Sequence, residues 1–508
     1  MVRLAIRPIT LAVICAAALA GCGGDDGGSG SPLDNALGYL PEDAPLVVSF
    51  ETDSEGDQVK AIQKIAERFP FSDQVTQSLE DRLSRDDLDF ETDIKPLLGN
   101  EFVVGAPDVR SLVDSGDEGA DDDQFVAAIE ARDKDKLEDL IKRDDTKETG
   151  EQGGAKLYED SDGDTFAIED GVLVVAGSRE LLDAALKQHD GDDKLTAEVF
   201  DEATADLPED ALMRLSTDLE QLIAADPDTK PAREIEWVSA LRTLGLTVSF
   251  EEDRAKVDFR MATDPEDLTA EDLPIAGGPE SPDVIASSDE IGLGVREPAQ
   301  ILAFAESAGQ AVDPSGFGDY SAGKQAIEAR LGVSIDDDIF AQLEDDVSLS
   351  FGLDGTFGLR SSVRDPQAFV ATLDKLGKAL PDIAESSLDE PIGYARPKKG
   401  EDFYALATAD GDSVVYGVVD GVFVLANDSE RASRLAEDET EAVEGAEGSI
   451  AMSADAQQLV TQGVSRFGGG GLGGALGGSL FSEPLGAFTG SVAAEPDGLT
   501  GRFELTFD

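Results

Sequence analysis

The sequence predicts an α+β protein of two tandem similar domains, each an antiparallel sheet with helices packed mainly on one face. Two observations carry this reading. Blocks of sequence recur in the same order in both halves, and helices are inserted between hairpins rather than alternating with single strands. Asp93-Ile94 through Leu98 and the run 102–105 match Asp338-Ile339 through Leu343 and the run 347–351. Arg132-Asp133 opens one helix as Arg364-Asp365 opens another. Residues 166–176 match 416–426 without a gap, 216–223 match 453–460 with Asp218/Asp455 and Gln221/Gln458 in step, and 248–264 match 492–508. Five matches in one order exceed what chance supplies.

Each copy opens on an extended apolar run (46–50; 291–295) and an amphipathic helix (59–69; 299–308). Strands around 101–106 and 125–131, matched by 346–353 and 356–363, lead to a helix at 134–143 or 366–378. A meander follows, near 155–159, 164–169 and 171–176, and near 402–408, 413–419 and 421–426. Short helices at 178–187 and 428–436 come next, then a strand, another helix and a closing hairpin. Period-two alternation with turn residues between the runs indicates antiparallel pairing. The expected divisions are a signal at 1–21, a tether at 22–36, a first domain at 37–265, a linker at 266–283 rich in Pro, Gly and acid, and a second domain at 284–508. Two segments break the copy: 107–124, with its acidic run 117–123, reads as a mobile loop, and 467–478 is glycine-rich.

At the N-terminus, Arg3 and Arg7 precede a short apolar run at 9–20 that ends in Leu19-Ala20-Gly21-Cys22. The run is too short for a hydrocarbon core about 30 Å thick. The tetrapeptide resembles the lipobox of bacterial lipoproteins. That resemblance implies removal of residues 1–21 and thioether lipidation of Cys22, with a diacylglyceryl group (palmitate among its acyl chains) holding the protein on the extracytoplasmic face of the cell membrane. A single acyl chain anchors only marginally, so the two chains matter physically. Residues 23–31, Gly-Gly-Asp-Asp-Gly-Gly-Ser-Gly-Ser, have the composition of a flexible tether. The competing reading is an ordinary secretory signal with an incidental cysteine. No later stretch approaches 18 consecutive apolar residues.

Composition removes several classes of function. Besides Cys22 the chain has only Cys15, within the signal, so no internal disulfide, cysteine-ligated metal or cysteine nucleophile is expected in the processed body. Asp and Glu number 108 against 40 Lys and Arg, a formal charge of −68. Nucleic acid and anionic headgroups need a basic footprint, so neither is an expected partner of the body. The acids are spread along the whole chain, which favours a solubility or salt-tolerance trait over dedicated cation sites.

Few residues invite a chemical role. His189, the only histidine, sits in Lys187-Gln188-His189-Asp190-Gly191-Asp192, and reads as a solvated residue just past a helix rather than a positioned imidazole. Asp160-Ser161-Asp162-Gly163-Asp164 has glycine fourth and Gly171 at position twelve, against an EF-hand's glycine sixth and glutamate twelfth. With Ala409-Asp410-Gly411-Asp412 in the matching place, both read as hairpin turns. About one residue in five is acidic, so neither Asp121-Asp122-Asp123 nor Asp336-Asp337-Asp338 singles out a glycosidase-like pair. The glycines of 468–478 lack the Gly-Lys-Ser/Thr of a phosphate loop. Trp237 shares an apolar helix face with Leu241 and reads as core. No catalytic or cofactor-binding residue is assigned, no cofactor is expected, and a metal site is left open.

The opening Ala36-Leu37-Gly38-Tyr39-Leu40-Pro41-Glu42-Asp43-Ala44-Pro45, then Glu51-Thr52-Asp53, Arg68-Phe69-Pro70, Asp93, Leu97-Leu98-Gly99 and the Asp-Gly-Val strands carry a resemblance. Together they resemble the bacterial lipoproteins and membrane-anchored proteins grouped as domain-of-unknown-function family 3352. Glu344 stands in the second copy where Gly99 stands in the first, so the first is the better match. The resemblance implies architecture and location and no chemistry. The expected function is a membrane-anchored, non-enzymatic protein that binds or presents a small ligand or an envelope protein. The alternatives are a carboxylate-dependent extracytoplasmic hydrolase and a passive acidic envelope component. A convergent pair of carboxylates in a deep pocket, absent from the other copy's equivalent place, would favour the enzyme.

Overall fold

Runs of Val, Leu, Phe and Ala form the strands of each unit, and helices pack against them. The computed structural model describes residues 31–70, 72–85, 88–113, 124–143, 146–160, 163–266, 268–285, 289–388, 392–398, 402–408, 413–437, 440–467 and 482–508. The fold is α+β with antiparallel sheet, as the sequence predicts. The chain divides into two compact units, one of residues up to Lys230 with Leu241–Ala262 and Thr506–Asp508, the other of Pro231–Ala240 and Thr263–Leu505.

In the first unit the strands are β1 (Leu46–Phe50), β2 (Phe102–Ala106), β3 (Val126–Glu130), β4 (Lys147–Gln152), β5 (Ala155–Glu159), β6 (Thr165–Glu169), β7 (Val172–Ala176), β8 (Met213–Asp218), β9 (Leu241–Glu251) and β10 (Arg254–Thr263). Nine of them pair in the order β9-β8-β1-β2-β3-β7-β6-β5-β4, antiparallel at every step, and β10 pairs with β9. The polar strand β4, with its row of Lys and Glu, was not expected from the pattern; it pairs through β5 alone among these strands, and its charges suit an edge.

Helices cover both faces of this sheet, which corrects the expectation of one covered face. Val103, Val172 and Val174 pack with Leu37, Leu182, Leu186 and Phe200 from the helices Pro32–Leu37, Arg179–His189 and Ala197–Ala203. Phe102, Ile129 and Leu173 pack instead with Leu137, Leu140 and Ile141 of the helix Lys134–Arg143. Neighbouring strand residues point to opposite faces, so an unbroken run such as Val172-Leu173-Val174 must be buried on both. A fully buried leucine such as Leu182 contributes about 1.5–3 kcal/mol relative to exposure.

In the second unit β11 (Val284–Ile285) pairs with β19 (Thr440–Glu441). The main sheet is made of β12 (Glu290–Arg296), β13 (Leu343–Gly352), β14 (Phe357–Val363), β15 (Gly393–Ala395), β16 (Phe403–Ala407), β17 (Ser413–Val419), β18 (Val422–Ala426), β20 (Ile450–Asp455) and β21 (Leu485–Glu495), with β22 (Gly498–Phe507) following β21. Its order is β21-β20-β12-β13-β14-β18-β17-β16-β15, again antiparallel throughout. Phe423 packs with Phe369 and Leu373 of the helix Pro366–Leu388, while Val424 packs with Ala432 and Leu435 of the helix Ser429–Glu437 on the other face. The helix Pro314–Leu331 is an addition to the predicted elements. It starts on Pro314 with the Asp313 carboxylate accepting from the Gly316 amide (3.0 Å), and stops at left-handed Gly332. Within 266–283, a 3-10 turn at Ala270–Asp272 closes with a Thr269/Asp272 capping box, and Leu268, Leu273, Ile275 and Ala276 are buried. Among the described residues no helix is long and apolar enough to cross a membrane.

Candidate functional site

The first unit places its one imidazole against a carboxylate by three local devices. The helix Arg179–His189 begins where the Ser178 hydroxyl accepts from the Leu181 amide (3.2 Å), and its length sets His189 as the last helical residue with Asp190 as C-cap. Strand β6 ends on Glu169, held by the tight turn Asp170-Gly171, both with positive φ (46° and 88°). The helix Pro32–Leu37 ends at Gly38, which delivers Tyr39 as a buried side chain beside them. A β-carbon on Gly38 would stand 2.9 Å from the imidazole Cδ2, so the ring occupies space that only glycine leaves open.

The Tyr39 and His189 rings stack with centroids 4.3 Å apart and planes 10° from parallel. The Tyr39 hydroxyl donates to Glu169 Oε2 (3.1 Å), and His189 Nδ1 lies 3.2 Å from the same oxygen. Ligand atoms of Glu169, His189 and Asp190 all fall within 4.8 Å of one another. The Lys194 ammonium donates to the His189 carbonyl (3.0 Å). Burial holds the imidazole below its ordinary pKa, with Glu169 pulling the other way and Lys194 adding to the depression. Burial and the Glu169 charge push the Tyr39 phenol well above its usual range. At neutral pH the site therefore carries a neutral imidazole beside carboxylates, and a phenol that keeps its proton to donate.

His189 is thus not the solvated loop residue the sequence suggests: its side chain is 23% exposed and has a ring partner and a carboxylate partner. The segment after a helix looks flexible in sequence because it is polar. It is fixed by Tyr39, 150 positions away. Tyr39, Glu169 and Asp190 were missed. One signal points to Glu169: aligning 166–176 with 416–426 puts Val419 in its place, so a charge stands where the matching run has an apolar residue at the end of a strand.

The other sequence candidates separate. Asp160 and Asp164 close the β5–β6 turn, with the Asp164 amide donating to Asp160 Oδ1 (2.9 Å) and Gly163 at positive φ, as a hairpin turn requires; residues 161–162 and the matching 409–412 lie outside the described residues. Asp336 pairs with Lys324 (2.7 Å), Asp337 accepts from the Ser334 hydroxyl (3.4 Å) and Asp338 from the Ser334 amide (2.8 Å) at the start of their short helix. Trp237 is buried, as expected, but Leu241 opens strand β9 instead of sharing its helix, which ends at Ala240. Cys22, the run 121–123 and the glycines of 468–478 lie outside the described residues.

Two further polar clusters stand apart. In the second unit Arg431 pairs with Glu290 and donates to Ser350 Oγ (2.8 Å) and the Phe357 carbonyl (2.8 Å), a buried, well-satisfied structural pair. In the first, Glu51 follows β1 near Asp210, Asp53, Glu101 and Asp57, and burial with those charges raises its pKa to about 7.

A family model described as "Protein of unknown function (DUF3352)" matches residues 5–389, more than half of the chain. No curated protein matches. Three solved crystal forms of the protein TP0453 are similar at low level. Form I is 12% identical and the match covers 48% of this chain and 82% of that one; forms III and IV are 9% and 10% identical, and all three have a TM-score of 0.24.

Proposed function

The chain belongs to the DUF3352 family of proteins of unknown function, and we propose that it is a lipoprotein anchored by Cys22 on the extracytoplasmic face of the membrane, where it binds or presents a small ligand or an envelope protein without catalysing a reaction. The observation that carries this is Leu19-Ala20-Gly21-Cys22 at the end of a short apolar run, followed at once by a Gly/Ser/Asp tether. The first helix then starts at Pro32 with Ser31 as its cap and buries Leu33 and Ala36, so the folded body begins within the stretch 22–36 that the sequence assigns to the tether.

We further propose that the body is a duplication. Its support is correspondence in detail: the strand orders β9-β8-β1-β2-β3-β7-β6-β5-β4 and β21-β20-β12-β13-β14-β18-β17-β16-β15 map onto each other element by element. Local devices map too. Asp93 and Asp338 each accept from the amide four residues earlier (3.0 and 2.8 Å). Asp133 and Asp365 cap their helices, as do Asp218 and Asp455 (2.8 and 2.9 Å). Asp170-Gly171 and Asp420-Gly421 share one turn, with φ values within a few degrees. The Tyr39–Glu169–His189 group has no counterpart, so the first copy carries a specialised site.

The anchor is tested by Cys22→Ser in cells. The expected result is loss of palmitate labelling and release from the membrane fraction; a variant that stays with the membrane to the same extent overturns the proposal.

A further inference from the structure

We propose that Glu169, His189 and Asp190 form a binding site for a divalent transition-metal ion of the zinc type. Three donors from two elements converge there, an imidazole and two carboxylates, with their ligand atoms within 4.8 Å of one another. Zinc binds such donors at about 2.0–2.2 Å in tetrahedral geometry, which sets two donors about 3.3 Å apart. The His189 Nδ1 to Glu169 Oε2 separation of 3.2 Å is that spacing. A mixed nitrogen and oxygen donor set suits zinc and its neighbours; calcium and magnesium take oxygen ligands.

The surroundings are those of a supported site. The Tyr39 hydroxyl holds Glu169 Oε2, and the Tyr39 ring fixes the plane of the imidazole. Outer contacts of this kind orient metal ligands. Three protein donors leave a fourth position for water or for a ligand's own donor atom. Glu169 is replaced by Val419 in the aligned place of the second half, which has no histidine, so one ion per chain is expected. The inference concerns the body alone and stands whether or not Cys22 carries lipid.

Because His189 is the sole histidine, its imidazole C–H resonances in the full purified chain report on this site alone. Titration with zinc sulfate should shift or broaden them to saturation at one equivalent, while calcium chloride leaves them in place. Isothermal titration with zinc should show a one-to-one event that is lost in His189→Gln and weakened at least tenfold in Glu169→Gln. Resonances that stay fixed through a tenfold excess of zinc overturn the proposal without needing any variant to fold. Equal zinc binding by wild type and a His189→Gln chain of unchanged circular dichroism also overturns it, since the ion would then be held by surface acids. Calcium moving the resonances as zinc does has the same consequence for the donor set.

Discussion

At the scale of single residues, the acids divide into those that organise the backbone and those that are held at a cost. Asp34, Asp93 and Asp313 are pulled below the usual carboxylate range by hydrogen bonds from neighbouring amides, hydroxyls or, for Asp93, first from Arg143. Glu51 goes the other way. Burial first, then the charges of Asp210, Asp53 and Glu101, raise it from 4.5 to about 7. Between those two values the folded protein keeps a proton that the unfolded chain has released, so stability falls as pH rises through the window and levels off above it. Glu51→Gln should therefore match wild type in thermal melts near pH 4 and melt higher above pH 7. A stability difference that is the same at every pH would remove Glu51 as the source. Asp133 and Asp365 were legible at the openings of their helices because a cap acts within three residues. Glu51 was not, because its neighbours Glu101 and Asp210 reach it only through the fold.

At the scale of elements, two kinds of helix behave differently. Those with an apolar stripe, such as Lys134–Arg143 and Ser429–Glu437, were placed from periodicity to within a residue or two. Pro314–Leu331 was missed because Gly316, Gly318 and Gly323 break the stripe, although Pro314 and Gly332 mark its ends. The helix Pro366–Leu388 crosses a row of stacked tyrosines, Tyr394, Tyr404 and Tyr416, with ring centroids 6.2 and 5.4 Å apart. Gly377 is buried where it meets them, and a β-carbon there would press into the Tyr394 ring and the Tyr416 hydroxyl. In an open helix Gly→Ala is worth about 1 kcal/mol of stabilisation. Here overpacking of about 1–3 kcal/mol opposes it. Gly377→Ala is expected to lower the denaturant midpoint; a raised midpoint would mean that the tyrosines yield without strain.

At the scale of the whole molecule, 108 acidic groups against 40 basic ones dominate the long-range energetics. Repulsion among them disfavours the compact state and is screened over about 10 Å at 0.1 M salt. Raising sodium chloride from about 10 mM to about 150 mM should raise the melting temperature of the purified protein. A flat or falling response would show that local pairs, such as Lys324 between Glu306 and Asp336, already neutralise the effect. The sequence by itself determined the α+β class, the family, most strands and the turns set by Asp and Gly, because each depends on residues a few positions apart. The tertiary structure alone decided that helices cover both faces of each sheet and that 231–240 belongs with the second unit while 241–262 belongs with the first. It alone joined Tyr39, Glu169 and His189, whose stacking, hydrogen bonding and burial arise only when segments 130 and 150 positions from Tyr39 are packed against it.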